Sequence, residues 1–146
     1  LIVDRSAGNF GGERGPKKEP IIPPEGKDPD FQVAYKIPPD QCALYRLSGD
    51  KVPLHIDPEF AKKSGMERCF FMGLGTMGYA GRAVLHSVCD SDPARLKSFS
   101  VRMVSIVYPG DTLITSGWKV EEGKYTILTT NQDGKVVLSN AIAEVT

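Results

Sequence analysis

Asp50 and His55 stand five residues apart in Gly49-Asp50-Lys51-Val52-Pro53-Leu54-His55, and this pair is where proton chemistry is best placed. A carboxylate and an imidazole aimed at one point hold a water molecule between them. One takes a proton from the water while the other supplies a proton to the adjacent carbon of a double bond. Addition of water to an unsaturated substrate, or its reverse, needs two such groups. Spacing alone does not select this reading. An Asp after Gly ordinarily serves a turn or a cap, and a lone His is ordinarily a structural or surface residue. Asp57, directly before Pro58, has the pattern of a helix cap rather than of a catalyst.

A second candidate is Phe70-Phe71-Met72-Gly73-Leu74-Gly75, which leads into the longest helical pattern of the chain. The first backbone N–H groups of a helix have no partner within it and point outward. Gly73 has no side chain to keep a substrate carbonyl away from them, so this turn is a candidate oxyanion site for an enolate. The alternative is tight packing of helix against sheet through Gly73 and Gly75.

The elements that must position these residues follow from the punctuation. Phe31–Ile37 alternates at period two and reads as a strand, stopped by Pro38-Pro39. Asp40 is placed to cap a short helix over Gln41–Leu47 that ends near Gly49. Pro58–Lys63 reads as a second short helix, capped by Asp57 and stopped by Gly65. Between them Pro53 stiffens the connector that carries Asp50 and His55. Gly73–Cys89 is the long helix, with Leu74, Met77, Ala80, Gly81, Val84, Leu85 and Val88 at three- and four-residue steps. Each Gly in it costs about 1 kcal/mol relative to Ala, so it requires close tertiary contact. Asp92-Pro93 begins a further short turn of helix. Lys97–Val107, Thr112–Val120, Lys124–Asn131 and Lys135–Val145 read as strands, the last two joined at Asp133-Gly134. Helix followed by a run of antiparallel strands is α+β order rather than βαβ alternation.

Residues 1–30 are rich in Gly and Pro and read as an extended arm or linker, with room for a short strand at 1–4; residues 31–146 read as one domain. The tract Gly11-Gly12-Glu13-Arg14-Gly15 lacks the ending of a phosphate loop. Lys plus Arg and Asp plus Glu are 18 each, which gives no electrostatic reason for a nucleic-acid or membrane-surface partner. There is no transmembrane run and no signal-peptide layout, which favours an intracellular site. The chain starts without Met, as a fragment or processed piece does. Cys42, Cys69 and Cys89 share no metal-ligand spacing, and with two histidines no metal site is expected.

These residues carry a resemblance. Tyr45–Ala61, YRLSGDKVPLHIDPEFA, is similar to the signature of the (R)-specific enoyl-CoA hydratases, the hydratase 2 or MaoC-like dehydratase family, whose core is Gly-Asp-x-Asn-Pro-Leu-His. GLGTMGYAGRAVL resembles the family's central helix, and VYPGDTLITSGWK and GKVVLSNAIAEV its later strands. SAGNFGGERGP resembles the connector before the second repeat of the peroxisomal multifunctional enzyme's hydratase part. The resemblance implies a hot-dog fold, a long helix wrapped by a curved antiparallel sheet. It implies Asp50 and His55 as the acid–base pair and the Gly73 N–H as the thioester-oxygen site. It implies hydration of trans-2-enoyl thioesters to (R)-3-hydroxyacyl thioesters, or the reverse, with no metal or redox cofactor. The implied partners are an acyl-CoA or other acyl-thioester substrate and a second hot-dog unit, either another copy or the N-terminal half of the same protein. The implied location is the peroxisome, otherwise the cytoplasm; Glu144-Val145-Thr146 is not a peroxisomal address.

Two positions depart from the pattern. Val52 replaces the signature Asn and can neither donate nor accept a hydrogen bond through its side chain. Met72 stands where the family has His before the helix glycine. Both replacements suggest an apolar pocket, so two alternatives stay open. One is a repurposed dehydratase or cyclase for a polyketide-like substrate; the other is a non-catalytic half that binds acyl thioesters.

Overall fold

The computed structural model describes residues 19–146. The strand expected at 1–4 and the glycine-rich tract at 11–15 lie outside those residues. Five strands form one antiparallel sheet: β1 (Phe31–Lys36), β2 (Leu96–Met103), β3 (Thr112–Glu121), β4 (Lys124–Thr130) and β5 (Val136–Val145), in the order β1-β3-β4-β5-β2. Three α-helices, α1 (Gln41–Leu47), α2 (Pro58–Lys63) and α3 (Gly73–Val88), fall between the two edge strands in the chain. The chain thus leaves one edge of the sheet, passes through all three helices, and returns at the opposite edge. This is the hot-dog arrangement that the resemblance implied.

The helix α3 lies against the sheet through Thr76, Ala80, Ala83 and Val84. Gly81 admits the Phe99 ring of β2, within 3.6 Å of where a β-carbon would stand, so here a small residue does provide close contact. The expected apolar stripe needs one correction: Leu74 is 66% exposed, because it lies beyond the face that the sheet covers. Two apolar groups fill the space. One gathers Ile37, Cys42, Phe71, Met72, Leu113 and Leu138 near the start of α3. The other gathers Val84, Ile127, Ala141 and Ala143 further along it.

Helix and strand ends match the sequence reading with three exceptions. Asp40 makes no side-chain cap for α1; its carbonyl takes the Ala43 and Leu44 N–H groups instead. The strand expected to run to Val107 leaves the sheet after Met103. Val107 turns inward, is 2% exposed, and its carbonyl accepts the Phe71 N–H at 2.7 Å. The hairpin at Asp133-Gly134 is a wider loop, organised by Asn131, whose Oδ1 accepts the N–H groups of Asp133 and Lys135 at 3.1 and 2.9 Å.

Residues 19–30 form no helix or strand. They are nevertheless tied across the sheet. The Ile21 N–H donates to Asn140 Oδ1 on β5 at 2.8 Å, and Trp118 Nε1 on β3 donates to the Lys27 carbonyl at 2.8 Å. The Lys119 N–H donates to Asp30 Oδ2 at 2.6 Å, which holds the Asp30 carboxyl below the usual carboxylate range. Trp118 alternates with the buried Leu113 and so points away from α3. No helix among the described residues is long and apolar enough to cross a membrane.

Candidate active site

The helix α1 ends with the Ser48 and Gly49 N–H groups donating to the Tyr45 and Arg46 carbonyls at 3.0 Å each. Gly49 then takes φ of 115°, a conformation that side chains disfavour. The chain reverses there and carries Asp50 out of line with the helix. Asp50 is half-buried, and its Oδ1 accepts the Val52 N–H at 3.0 Å. That local bond is a turn of the kind short Asp side chains favour, and it fixes the carboxylate just before Pro53. Pro53–His55 makes a single 3-10 turn, closed by the Ile56 and Asp57 N–H groups on the Pro53 carbonyl at 3.0 and 2.8 Å. Asp57 Oδ1 then accepts the N–H groups of Glu59 and Phe60, which makes it the cap of α2.

His55 is half-buried, and its Nδ1 lies 2.8 Å from the Phe70 carbonyl. A carbonyl only accepts, so Nδ1 carries the proton in this contact. In the neutral imidazole, Nε2 is then left with its lone pair free. The ring also stands edge-on to the Phe70 ring, with centroids 4.9 Å apart and planes at 81°. Cys42 Sγ, on α1, reaches the same carbonyl at 3.8 Å. Burial pushes the Cys42 thiol up, and nearby Cys69 adds to the rise, so Cys42 remains a protonated donor at neutral pH. Among the described residues no hydrogen bond joins Asp50 to His55 directly.

A cavity of about 280 Å³ opens at the start of α3, lined by Phe70, Phe71, Gly73, Met103, Ile106 and Leu138 among others. Its wall is mostly apolar, with Thr76 and Ser105 as the polar side chains. Gly73 is the first residue of α3, and the Thr76 N–H donates to the Met72 carbonyl at 3.0 Å, so the N–H groups of the first turn ahead of it have no partner inside the helix.

The structure treats the sequence-selected residues unequally. Asp50, Val52 and His55 lie on one short, braced connector, and Gly73 lines the cavity beside Phe70. The space over the Gly73 α-carbon is not open, however: a β-carbon there would overlap the Met103 side chain. That side chain, 48% exposed and unbranched, can shift within the cavity. Gly75 is explained by packing, since the Phe71 ring fills the place of its missing side chain. Met72 is 4% exposed within the core, and neither it nor Val52 lines the cavity. Asp50 and His55 do not line it either; Met72 points into the core and Val52 is 45% exposed. Met103 and Cys42 were missed by sequence reading. Phe70 stood in the second candidate segment, but its contact with His55 was not read there, because it runs partly through the backbone, which has no residue-type signal. Met103 comes from a strand about thirty residues further along. Among the described residues no group of three or more His, Cys, Asp or Glu side chains is arranged to hold a metal ion.

The MaoC like domain family matches residues 21–141. The chain belongs to that family. This MaoC-like domain is 46% identical over 143 residues to the probable enoyl-CoA hydratase 2 of Dictyostelium discoideum, covering 95% of this chain and 48% of that protein. Among solved structures, the MaoC-like dehydratase of Phytophthora capsici superposes with a TM-score of 0.83 at 36% identity, over 91% of this chain and 47% of that one. The full-length peroxisomal multifunctional enzyme type 2 of Drosophila melanogaster superposes with a TM-score of 0.80 at 40% identity, over 88% of this chain and 24% of that one. The MaoC-like domain thus spans about half the length, or less, of these relatives.

Proposed function

We propose that this domain supplies the acid–base pair of a hydro-lyase that hydrates trans-2-enoyl thioesters to (R)-3-hydroxyacyl thioesters, or runs the reverse dehydration. The observation that carries the reading is the 2.8 Å contact of His55 Nδ1 with the carbonyl of Phe70, a residue of the cavity wall, which leaves Nε2 free to act as a base. The enoyl-CoA hydratase name of the Dictyostelium relative supports the same chemistry. A water molecule held between Asp50 and His55 loses a proton to one of them as its oxygen bonds to the β-carbon. The other group gives a proton to the α-carbon, and the atoms of one water are added in full. The developing enolate oxygen sits against the free N–H groups at Gly73, with the Met103 side chain displaced. Asp50→Ala and His55→Ala should each abolish hydration of enoyl-CoA while leaving the far-ultraviolet circular dichroism unchanged. Full rates in both variants would remove the assignment.

The domain proper is taken as residues 31–146, with 1–30 as an arm. We further propose that it works beside a second hot-dog unit, another copy or an upstream half. Support comes from the outermost place of β2 in the sheet and from large apolar side chains left in water among the described residues, including Leu47 at 85% and Val104 at 52% exposed. Light scattering that finds an active monomeric hot dog would overturn this. Peroxisomal location is proposed from the name of the Drosophila relative and is checked by imaging the tagged complete protein.

A further inference from the structure

Phe70 holds His55 on two sides and at the same time forms a wall of the cavity. Its carbonyl accepts Nδ1–H at 2.8 Å, and its ring edge packs on the imidazole at 4.9 Å between centroids. That peptide group is itself fixed from three directions. The N–H across the same peptide bond, that of Phe71, donates to the Val107 carbonyl at 2.7 Å, which polarises the Phe70 oxygen and strengthens its acceptance of the histidine proton. The Cys42 thiol reaches that oxygen from α1, the helix that leads through Gly49 to Asp50. The Phe71 side chain, 3% exposed, anchors the backbone in the core. Phe70, in contrast, is half-buried and lines the cavity.

We propose that Phe70 is a positioning residue, one that fixes the Nδ1–H form of His55 and makes the orientation of that imidazole depend on what fills the apolar cavity. The inference rests on the hydratase reading and deepens it: the acyl group is recognised at the same residue that aims the base. A chain long enough to press on the Phe70 ring steadies His55, so length selection is expressed in turnover rather than only in binding. Cys42 supports the same carbonyl as a weak second donor and ties it to the helix that delivers Asp50.

The experiment uses the assembled protein with trans-2-enoyl-CoA substrates of increasing length, comparing wild type, Phe70→Leu and Phe70→Tyr. Nitrogen-15 spectra of the imidazoles are recorded alongside, with His55→Ala to assign the His55 signals. Leu keeps the bulk in the cavity wall but removes the ring edge. Its kcat should fall about tenfold to a hundredfold, as expected for a displaced catalytic group, with KM nearly unchanged. The rise of kcat with chain length should flatten. Leu keeps the backbone carbonyl, so Nδ1 stays protonated, but the His55 ring signals should broaden as the imidazole loses the ring edge that orients it. Tyr retains the ring and should restore both the turnover and the spectrum. If Phe70→Leu alters KM for long chains alone, with kcat and the nitrogen signals as in wild type, Phe70 is a plain wall and the proposal is overturned. A wild type that hydrates no enoyl thioester sinks the hydratase reading instead, while the nitrogen signals still decide whether the Phe70 ring steadies His55.

Discussion

The central strands β3, β4 and β5 and the connector between α1 and α2 hold their residues in place by different means. In the strands, position comes from repetition. Ile127 is 1% exposed, faces Ala141 across the ladder, and shares its cluster with Val84 of α3. Each neighbour repeats the constraint, so no single contact decides the geometry. In the connector, from Gly49 to Asp57, no residue is buried and position comes from single bonds. One bond fixes Asp50 to the Val52 N–H, one 3-10 turn carries His55, and one carbonyl receives its proton. The comparison teaches that stability and chemistry are divided here. A region with no buried residue holds the two groups proposed to move protons.

That division is open to attack. The largest effect is expected from His55→Ala and Asp50→Ala, which should lower enoyl-CoA hydration by about 10²–10⁴-fold or more, with the melting temperature almost unchanged. A large loss of melting temperature in either variant would place the connector in the stabilising core and dissolve the contrast. Ile127→Ala is the converse test. Chemical denaturation should register a loss of about 2–5 kcal/mol, because a buried aliphatic side chain is removed from a rigid site. The residual folded fraction should keep its specific activity. Gly49→Ala probes the join between the two regions. A side chain at φ of 115° costs about 1–3 kcal/mol in strain, and relief of that strain displaces Asp50, so activity should fall further than stability does.

Val52→Asn returns the side-chain amide of the family signature to the connector. Hydration of crotonyl-CoA should rise severalfold with no measurable change in denaturation midpoint. No gain would favour a repurposed site over a weakened one. The smallest effect concerns pH. Burial raises both the Cys42 and the Cys89 thiols, so the folded chain binds protons that the unfolded chain has released above the ordinary thiol range. Their contribution to stability is complete at neutral pH and is lost as the pH rises through their raised values. Denaturation midpoints should be flat near neutrality and decline in alkaline buffer, and Cys42→Ala should reduce that decline.

Much of the fold was legible in the chain because it is written in local rules. Alternation marks β1, Pro38-Pro39 stops it and Asp57-Pro58 starts α2, each through the backbone restrictions of a few adjacent residues. The proposed acid–base pair was legible only in part. Asp50 and His55 were selected by the match to a family signature, since their spacing alone also fits a turn and a surface histidine. What surrounds them was not legible. Met72 and Gly75 were read as site residues from their place before and within α3, yet Phe71 fills the space at Gly75 and Met72 belongs to the core. Leu74, an apolar residue in a helical stripe, was placed by its period on the wrong side of the boundary between sheet and water.

The sequence by itself determined the elements, their order and the residues able to transfer protons, because propensity, capping and side-chain chemistry act within a few positions of the chain. Tertiary structure alone decided which groups meet. It brought the Phe70 carbonyl to His55, Cys42 to that same carbonyl, and Met103 across the start of α3. Those meetings depend on how α1 and β2 approach α3, and on backbone atoms that every residue carries alike, so no pattern of residue types along the chain could specify them.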